Sequence, residues 1–325
     1  MHLNPKLFDE DIEQVPSRNG FGEGLVIAGE ENPNVVGLCA DLTESTRMEG
    51  FKKKFPERFV EVGVAEQNLV TVASGMAHEG KIPFTSSYAT FSPGRNWEQI
   101  RTTICYNNMP VKIIGNHTGI SVGPDGATHQ ALEDIALMRV LPNMVVVVPA
   151  DSIEAKKATI AIAKNGKPSY LRLSRDKTPV ITTENSPFEI GKAEVLMQGK
   201  DVTIIACGQM VYMALKVAKD LEKDNISVRV INCHTIKPLD TKTILNAAEE
   251  TGAIVTAEEH QVNGGLGGAV SEVVSESYPV PIKRIGIEDT FGESGTPAEL
   301  LRKFGLTQEN IKKAVLEVLR RKRRV

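Results

Sequence analysis

Residues 141–175 read LPNMVVVVPADSIEAKKATIAIAKNGKPSYLRLSR. The run MVVVVP (144–149) is apolar throughout, so neither face of a strand here is suited to water, and it reads as a strand covered on both sides. Asp151 stands as the N-cap of the amphipathic stretch SIEAKKATIAIAKN, and SYLRLS (169–174) returns to strand character. Strand, helix and strand in this order make a parallel pair with a helix on one face. The same rhythm extends outward. Val35 to Ala40 is a short apolar run, residues 64–79 are apolar at helical spacing, and IPFTSSY (82–88) is a strand. A helix around 96–107, the strand VKIIG (111–115) and a helix near 130–140 complete this half. Residues 176–193 (DKTPVITTENSPFEIGKA) break the alternation with two prolines and several polar residues, as a linker between domains does. VTIIAC, ISVRVIN, AIVTAEE and IKRIGI then alternate with helices at MVYMALKVAKDLEKD, TKTILNAAEE and after Gly267, with two more helices at the end. The expectation is an α/β protein of two three-layer domains with mostly parallel sheets, residues 1–185 and 186–325.

The chain's 325 residues match two domains at about 150 residues each. Hydrophobic residues make up 41% and charged ones 24%, an ordinary soluble balance, and the net charge of −3 argues against a nucleic-acid or membrane surface spread over the chain. The one basic cluster, Arg320 to Arg324, reads as a solvated, frayed helix end. Cys39, Cys105, Cys207 and Cys233 have no paired spacing, which suits buried free thiols in a reducing compartment and neither a disulfide frame nor a zinc site. With no leader-like N-terminus and no apolar run near ~20 residues, the expected location is the cytoplasm.

Four stretches could carry chemistry. In FVEVGVAEQNLVTVASG, Glu66 lies two residues into an apolar helix and should be buried, so its carboxyl group must be hydrogen-bonded or protonated; the plain alternative is an acid complementing the helix dipole. Tyr88, Phe91 and Trp97 cluster in a chain with only 5% aromatics, for stacking on a flat ring or for core packing. His117 and His129 bracket a Gly-rich loop, GNHTGISVGPDGATHQ, that carries Asp125 and follows a buried strand. Ligands bind at the carboxyl ends of such strands, and these residues suit proton transfer and hydroxyl recognition; the alternative is a plain surface loop. GGLGG (264–268) looks like a dinucleotide loop but misses GxGxxG, so tight helix–strand packing is its expected role.

Taken together, the chain resembles the transketolase family over nearly its whole length. ADLTES, GVAEQNLV, the aromatic segment before RNWEQIR, NHTGISVGPDGATHQALED, LPNMVVVVPAD and YLRLSR follow the order of that family's pyrimidine-binding domain. TAEEHQVNGGLGGAVSEVV and RIGIEDTFGESGTPAELL resemble its C-terminal domain. The resemblance implies thiamine diphosphate as cofactor. It places Glu66 on the aminopyrimidine, where a shared carboxyl proton favours the imino tautomer that generates the nucleophilic ylid. It places Tyr88 and Phe91 against the pyrimidine, and Asp41 lining the cofactor site. His117 and His129 match residues that contact sugar hydroxyls and assist proton transfer, and Asp125 one that binds a substrate hydroxyl. Arg18, Ser45 and Arg175 match contacts to the phosphate end of a sugar phosphate, for which an arginine fork is well suited. Gly94 is an extra residue that shifts the aromatic segment by one, so Trp97 takes no role from the resemblance.

A full transketolase carries a further N-terminal domain with a Gly-Asp-Gly motif for metal and diphosphate. No such motif with that spacing occurs here; Pro124-Asp125-Gly126 belongs to the histidine loop. The resemblance therefore implies a C-terminal subunit of a split transketolase. Its partner subunit would hold Mg2+ or Ca2+ and the diphosphate, in a dimer of heterodimers that moves a two-carbon ketol unit between sugar phosphates of the pentose phosphate pathway. The alternatives are a beta-type subunit of a deoxyxylulose phosphate synthase-like enzyme or a 2-oxo acid dehydrogenase, a non-catalytic assembly subunit, and a nucleotide-binding dehydrogenase resting on GGLGG alone. The paired histidines and Arg175 favour the sugar-transferring branch.

Overall fold

Alternate residues of a strand face opposite sides, and in the apolar run at 144–149 both sides are covered. Val145 and Val147 face a layer that includes Phe21, Leu25 and Ile162. Val146 and Val148 face a second layer that includes Leu69, Ile104 and Ile231. This computed structural model describes residues 2–322. The first half runs β1 (Gln14–Pro16), α1 (Ser17–Glu31), β2 (Val35–Cys39), α2 (Glu49–Lys54), β3 (Phe59–Glu61), α3 (Glu66–His78), β4 (Ile82–Tyr88) and α4 (Trp97–Gln99). It continues with β5 (Lys112–Asn116), α5 (Asp134–Arg139), β6 (Val145–Val147), α6 (Ser152–Lys164), β7 (Ser169–Arg172) and β8 (Lys177–Pro179). The second half runs β9 (Glu194–Met197), β10 (Val202–Ala206), α7 (Met210–Leu221), β11 (Val228–Asn232), β12 (Thr235–Lys237), α8 (Thr241–Thr251) and β13 (Ile254–Gln261). It ends with α9 (Leu266–Ser277), β14 (Ile282–Ile287), α10 (Pro297–Lys303) and α11 (Gln308–Lys322).

Two large sheets result, in the orders β12-β6-β7-β5-β4-β2-β3 and β14-β13-β10-β11-β9, beside a two-stranded β1-β8 ribbon. Every pair within the large sheets is parallel except β12 with β6 and β9 with β11. The α/β expectation with mostly parallel sheets therefore holds. α1 and α6 cover one face of the first sheet at very close range. A Cβ on Gly20 would stand 1.7 Å from the Ser152 carbonyl oxygen, so no larger residue fits this helix crossing. One apolar cluster runs without interruption from Val146 and Tyr170 of the first sheet to Ile205, Ile231 and Val270 of the second half.

Several elements differ from the sequence expectation. Glu66 is the first residue of α3, not two residues inside it. The helix expected over 96–107 continues after α4 as a π-helix over Ile100–Cys105. β12 adds a strand of the second half to the first sheet, which no local pattern announces. The 176–193 segment is fastened, not free. β8 pairs with β1, and Asp151 caps α6 through the Glu154 N–H at 2.9 Å while also accepting from the Ile181 and Thr182 N–H groups at 2.8 and 2.6 Å. At the chain's end, Lys322 donates to the Thr251 and Asp201 carbonyls at 2.7 and 3.1 Å, and Arg321 to that of Ile282 at 3.0 Å. The last described turn is therefore docked where fraying was expected; Arg323 and Arg324 lie outside the described residues. All four cysteines are buried and free. No helix among the described residues is long and apolar enough to cross a membrane.

Candidate active site

The carboxyl ends of β2, β3, β4, β5 and β7 lie side by side, and each is followed by a residue singled out by sequence: Asp41, Glu66, Phe91, His117 and Arg175 respectively. Tyr88 closes β4 itself. This is the edge of a parallel α/β sheet where ligands bind.

The aromatic and imidazole rings meet there. Tyr88 lies 6.3 Å from Phe91 and 3.9 Å from His117, measured between ring centroids. His129 stands edge-on to both Tyr88 and Phe91, at 6.2 and 5.4 Å. His117 is buried and adopts φ +54°, in the left-handed region, which costs on the order of 1 kcal/mol or more for a non-glycine residue. That turn carries its ring onto Tyr88. Its Nε2 lies 3.2 Å from Arg18 Nη1. A guanidinium only donates, so Nε2 is the acceptor and Nδ1 carries the proton of the neutral ring. Nδ1 is buried and has no partner. Burial first, then the Arg18, Arg175, His129 and Arg47 charges, push the His117 pKa down to about 3, so the ring is neutral at ordinary pH.

Arg18 is placed by the start of α1. Ser17 Oγ accepts from the Ser174 N–H at 2.8 Å, tying the helix start to the end of β7 and so to Arg175. Arg18 Nη1 also donates to the Ser45 carbonyl at 2.7 Å, so Ser45 contributes its backbone here. Burial and then the neighbouring charges of Arg47 and Arg175 lower the Arg18 pKa. Arg175 Nη1 donates to the Val122 carbonyl at 2.5 Å and lies 3.8 Å from Asp125. Positive charge is thus gathered opposite the histidines, with Asp125 at its rim.

The histidine loop is held by the second half of the chain. Glu259 accepts from the Ser121 N–H at 2.7 Å, and burial raises its pKa. Gly119 has φ +78°, and a Cβ there would stand 2.2 Å from the Glu259 carboxylate, so only glycine fits. Gln130 donates to the carbonyls of Gly123 at 3.1 Å and Glu293 at 2.9 Å.

Glu66 is 2% exposed, and its Oε2 accepts from Arg95 Nη1 at 2.6 Å. The Asn96 side chain donates to the Glu66 carbonyl at 2.7 Å. Asp41 is exposed with φ +60°, and its N–H donates to Glu61 at 2.7 Å. Glu61 also accepts from the Gly63 N–H at 3.1 Å and the Thr43 hydroxyl at 3.2 Å, joining the Asp41 turn to the approach to α3. Trp97 donates to the Leu137 carbonyl at 2.8 Å and, partly buried, packs against the core, in line with the packing alternative. Arg95, Arg47, Glu61 and Glu259 were not found by sequence reasoning. Only Arg95, directly after the extra Gly94, had a local signal.

At GGLGG the chain's own carboxylate stands where a phosphate would have to sit. The Glu258 carboxylate accepts from the Leu266 and Gly267 N–H groups at 2.7 Å each, filling the start of α9 with the chain's own negative charge. A Cβ on Gly265 would fall 2.0 Å from that carboxylate, so packing explains the glycine, and the dehydrogenase alternative loses its basis. At the ring cluster, Arg18 Nε and His117 Nδ1 are buried without partners, as are Ser87 Oγ and Thr90 Oγ1 of the segment that carries Tyr88 and Phe91. Buried polar groups are nearly always satisfied, so this wall fits a polar ligand. Among the described residues, no three or more His, Cys, Asp or Glu are grouped to hold a metal ion.

The fold and site define the class: a mostly parallel α/β protein whose carboxyl sheet edge gathers a buried glutamate, an aromatic wall and an arginine–histidine pocket. The family model described as "Transketolase, pyrimidine binding domain" matches residues 13–180, and that described as "Transketolase, C-terminal domain" matches residues 191–311. The chain belongs to the transketolase family. A Methanocaldococcus jannaschii protein, named provisionally as a transketolase C-terminal section, is 45% identical over 307 residues, covering 94% of this chain and 96% of its own. A 6-deoxy-6-sulfo-D-fructose transketolase subunit of a Clostridium species is 40% identical over 315 residues, covering 97% and 98%. A solved structure described as a split gene transketolase, inactive beta4 tetramer, superposes with a TM-score of 0.89 at 48% identity, covering 94% of this chain and 98% of its own.

Proposed function

We propose that this chain, divided into its two domains at residue 185/186, is the C-terminal catalytic subunit of a split transketolase that moves a two-carbon ketol unit from a ketose phosphate to an aldose phosphate. The observation that supports this most is the convergence of Glu66, the Tyr88–Phe91 wall and the Arg18–His117–Arg175 pocket on one sheet edge. When bound, thiamine diphosphate supplies the nucleophilic carbon that carries the two-carbon unit. Glu66, Tyr88 and Phe91 would hold its pyrimidine, with Asp41 lining the site. The diphosphate and a Mg2+ or Ca2+ ion fall to an N-terminal partner subunit, in a dimer of heterodimers.

The chain's own residues then have distinct tasks. The buried Glu66 carboxyl shares a proton with a ring nitrogen. His117, neutral with Nδ1–H free, donates to a substrate oxygen, and His129 faces the same space from the loop. Asp125 accepts from a hydroxyl at the pocket rim. Arg18 and Arg175, with the Ser45 turn, take the phosphate. The names of the two subunit-type relatives and of the split-gene structure support the separate partner. The test is copurification from the native host, followed by reconstitution. A second chain of domain size carrying a Gly-Asp-Gly motif should come down, and ketol transfer should require both chains. Strong transfer by this chain alone, with cofactor and metal, would defeat the split reading.

A further inference from the structure

Two of the three residues proposed above for the pyrimidine ring, Glu66 and Phe91, are already engaged by the same side chain. Arg95 Nη1 donates to Glu66 Oε2 at 2.6 Å, and its guanidinium carbon lies 4.9 Å from the centroid of Phe91. The backbone brings it there: the Arg95 N–H donates to the Phe91 carbonyl at 2.9 Å, one tight turn further along the chain. Gly94 permits that turn, because a Cβ on it would stand 1.9 Å from the Thr90 carbonyl oxygen. The Arg95 side chain is 49% exposed, so little packing restrains it beyond the ion pair and the ring.

We propose that Arg95 competes with the cofactor's aminopyrimidine for Glu66 and Phe91, and must swing aside for the ring to bind. A planar guanidinium and a planar heterocycle cannot occupy one carboxylate oxygen and one ring face together. Arg95 neutralises the buried Glu66 until the cofactor takes its place, and its half-exposed position gives the guanidinium water to swing into. This inference rests on the cofactor reading of Glu66.

The test uses the full chain with thiamine, which has the aminopyrimidine but no diphosphate and so needs no partner or metal. Binding is read by calorimetry and by fluorescence of Trp97, the single tryptophan, two residues away. Arg95→Met should bind thiamine about tenfold more tightly than wild type, the size expected for releasing one half-exposed, charge-assisted contact. Arg95→Lys should fall between them, since a point charge keeps the pair but stacks poorly. Glu66→Ala in the Arg95→Met background should abolish the gain. If Arg95→Met binds no tighter than wild type, the competition is overturned, and Glu66→Ala alone then shows whether the cofactor reading stands without it. A gain that survives Glu66→Ala overturns the role of Glu66 in both. No binding by any of these chains overturns the competition and the pyrimidine site together. Thermal unfolding by circular dichroism checks that each variant is folded.

Discussion

Replacing Arg18 or Arg175 with alanine should separate two arginines that the sequence treats alike. If each makes the proposed charge-assisted contact to a substrate phosphate, its loss costs on the order of 1.5–3 kcal/mol, and KM for a phosphorylated donor should rise by a factor of ~10 or more in both variants. Arg175 touches no ring of the site; its partners are the Val122 carbonyl and Asp125. Its variant should therefore leave kcat nearly intact, as expected for binding that is uniform along the reaction. Arg18 also holds His117 Nε2 at 3.2 Å and, after burial, is the largest charge lowering that ring's pKa. Arg18→Ala should lower kcat as well, and the acid limb of its kcat–pH profile should move to higher pH as the His117 pKa climbs from about 3. The assay is steady-state kinetics of the reconstituted complex across pH, with a phosphorylated donor and a short unphosphorylated one. Equal losses on both donors in both variants would show the arginines to be structural and would remove the main support for a sugar-phosphate substrate.

Three further outcomes follow from the same geometry. Glu66→Ala should reduce activity of the complex by more than ~100-fold and slow proton exchange at the cofactor's thiazolium carbon, with little loss of fold because Arg95 is left half in water; unchanged exchange would return Glu66 to a helix-start role. Gly119→Ala should loosen the histidine loop, since the new Cβ meets the Glu259 carboxylate; faster amide exchange over 119–130 and a raised substrate KM are the readouts, and wild-type exchange would refute the fastening. Burial, and then Asp151, push the Glu154 pKa up to about 8, so the folded state holds a proton that the unfolded chain releases near 4.5. Stability should therefore fall as pH rises between about 4.5 and 8, by at most ~1.4 kcal/mol per unit. Glu154→Gln should flatten that slope in denaturant titrations, and an unchanged slope would locate the proton elsewhere.

The sequence by itself determined what depends on neighbours in the chain. MVVVVP had to be covered on both faces, Asp151 had to cap the helix after it, and Glu66 had to be buried in an apolar helix start; the structure has all three. It also placed Tyr88, Phe91, His117 and Arg175 at strand ends, where a parallel sheet gathers them. Tertiary structure alone decided who meets whom across long separations. Arg18 reaches His117 because Ser17 ties α1 to the end of β7, 157 residues away. Glu259 and Gln130 fasten the histidine loop across the two halves, and Glu258 fills the helix start that GGLGG made look like a phosphate site. β12 joins the first sheet from the second half, and Arg95 turns back onto Glu66. Local periodicity reports which face of an element is buried, but not which distant polar group satisfies it. That choice is made by packing, when a buried donor or acceptor must find a partner or remain costly.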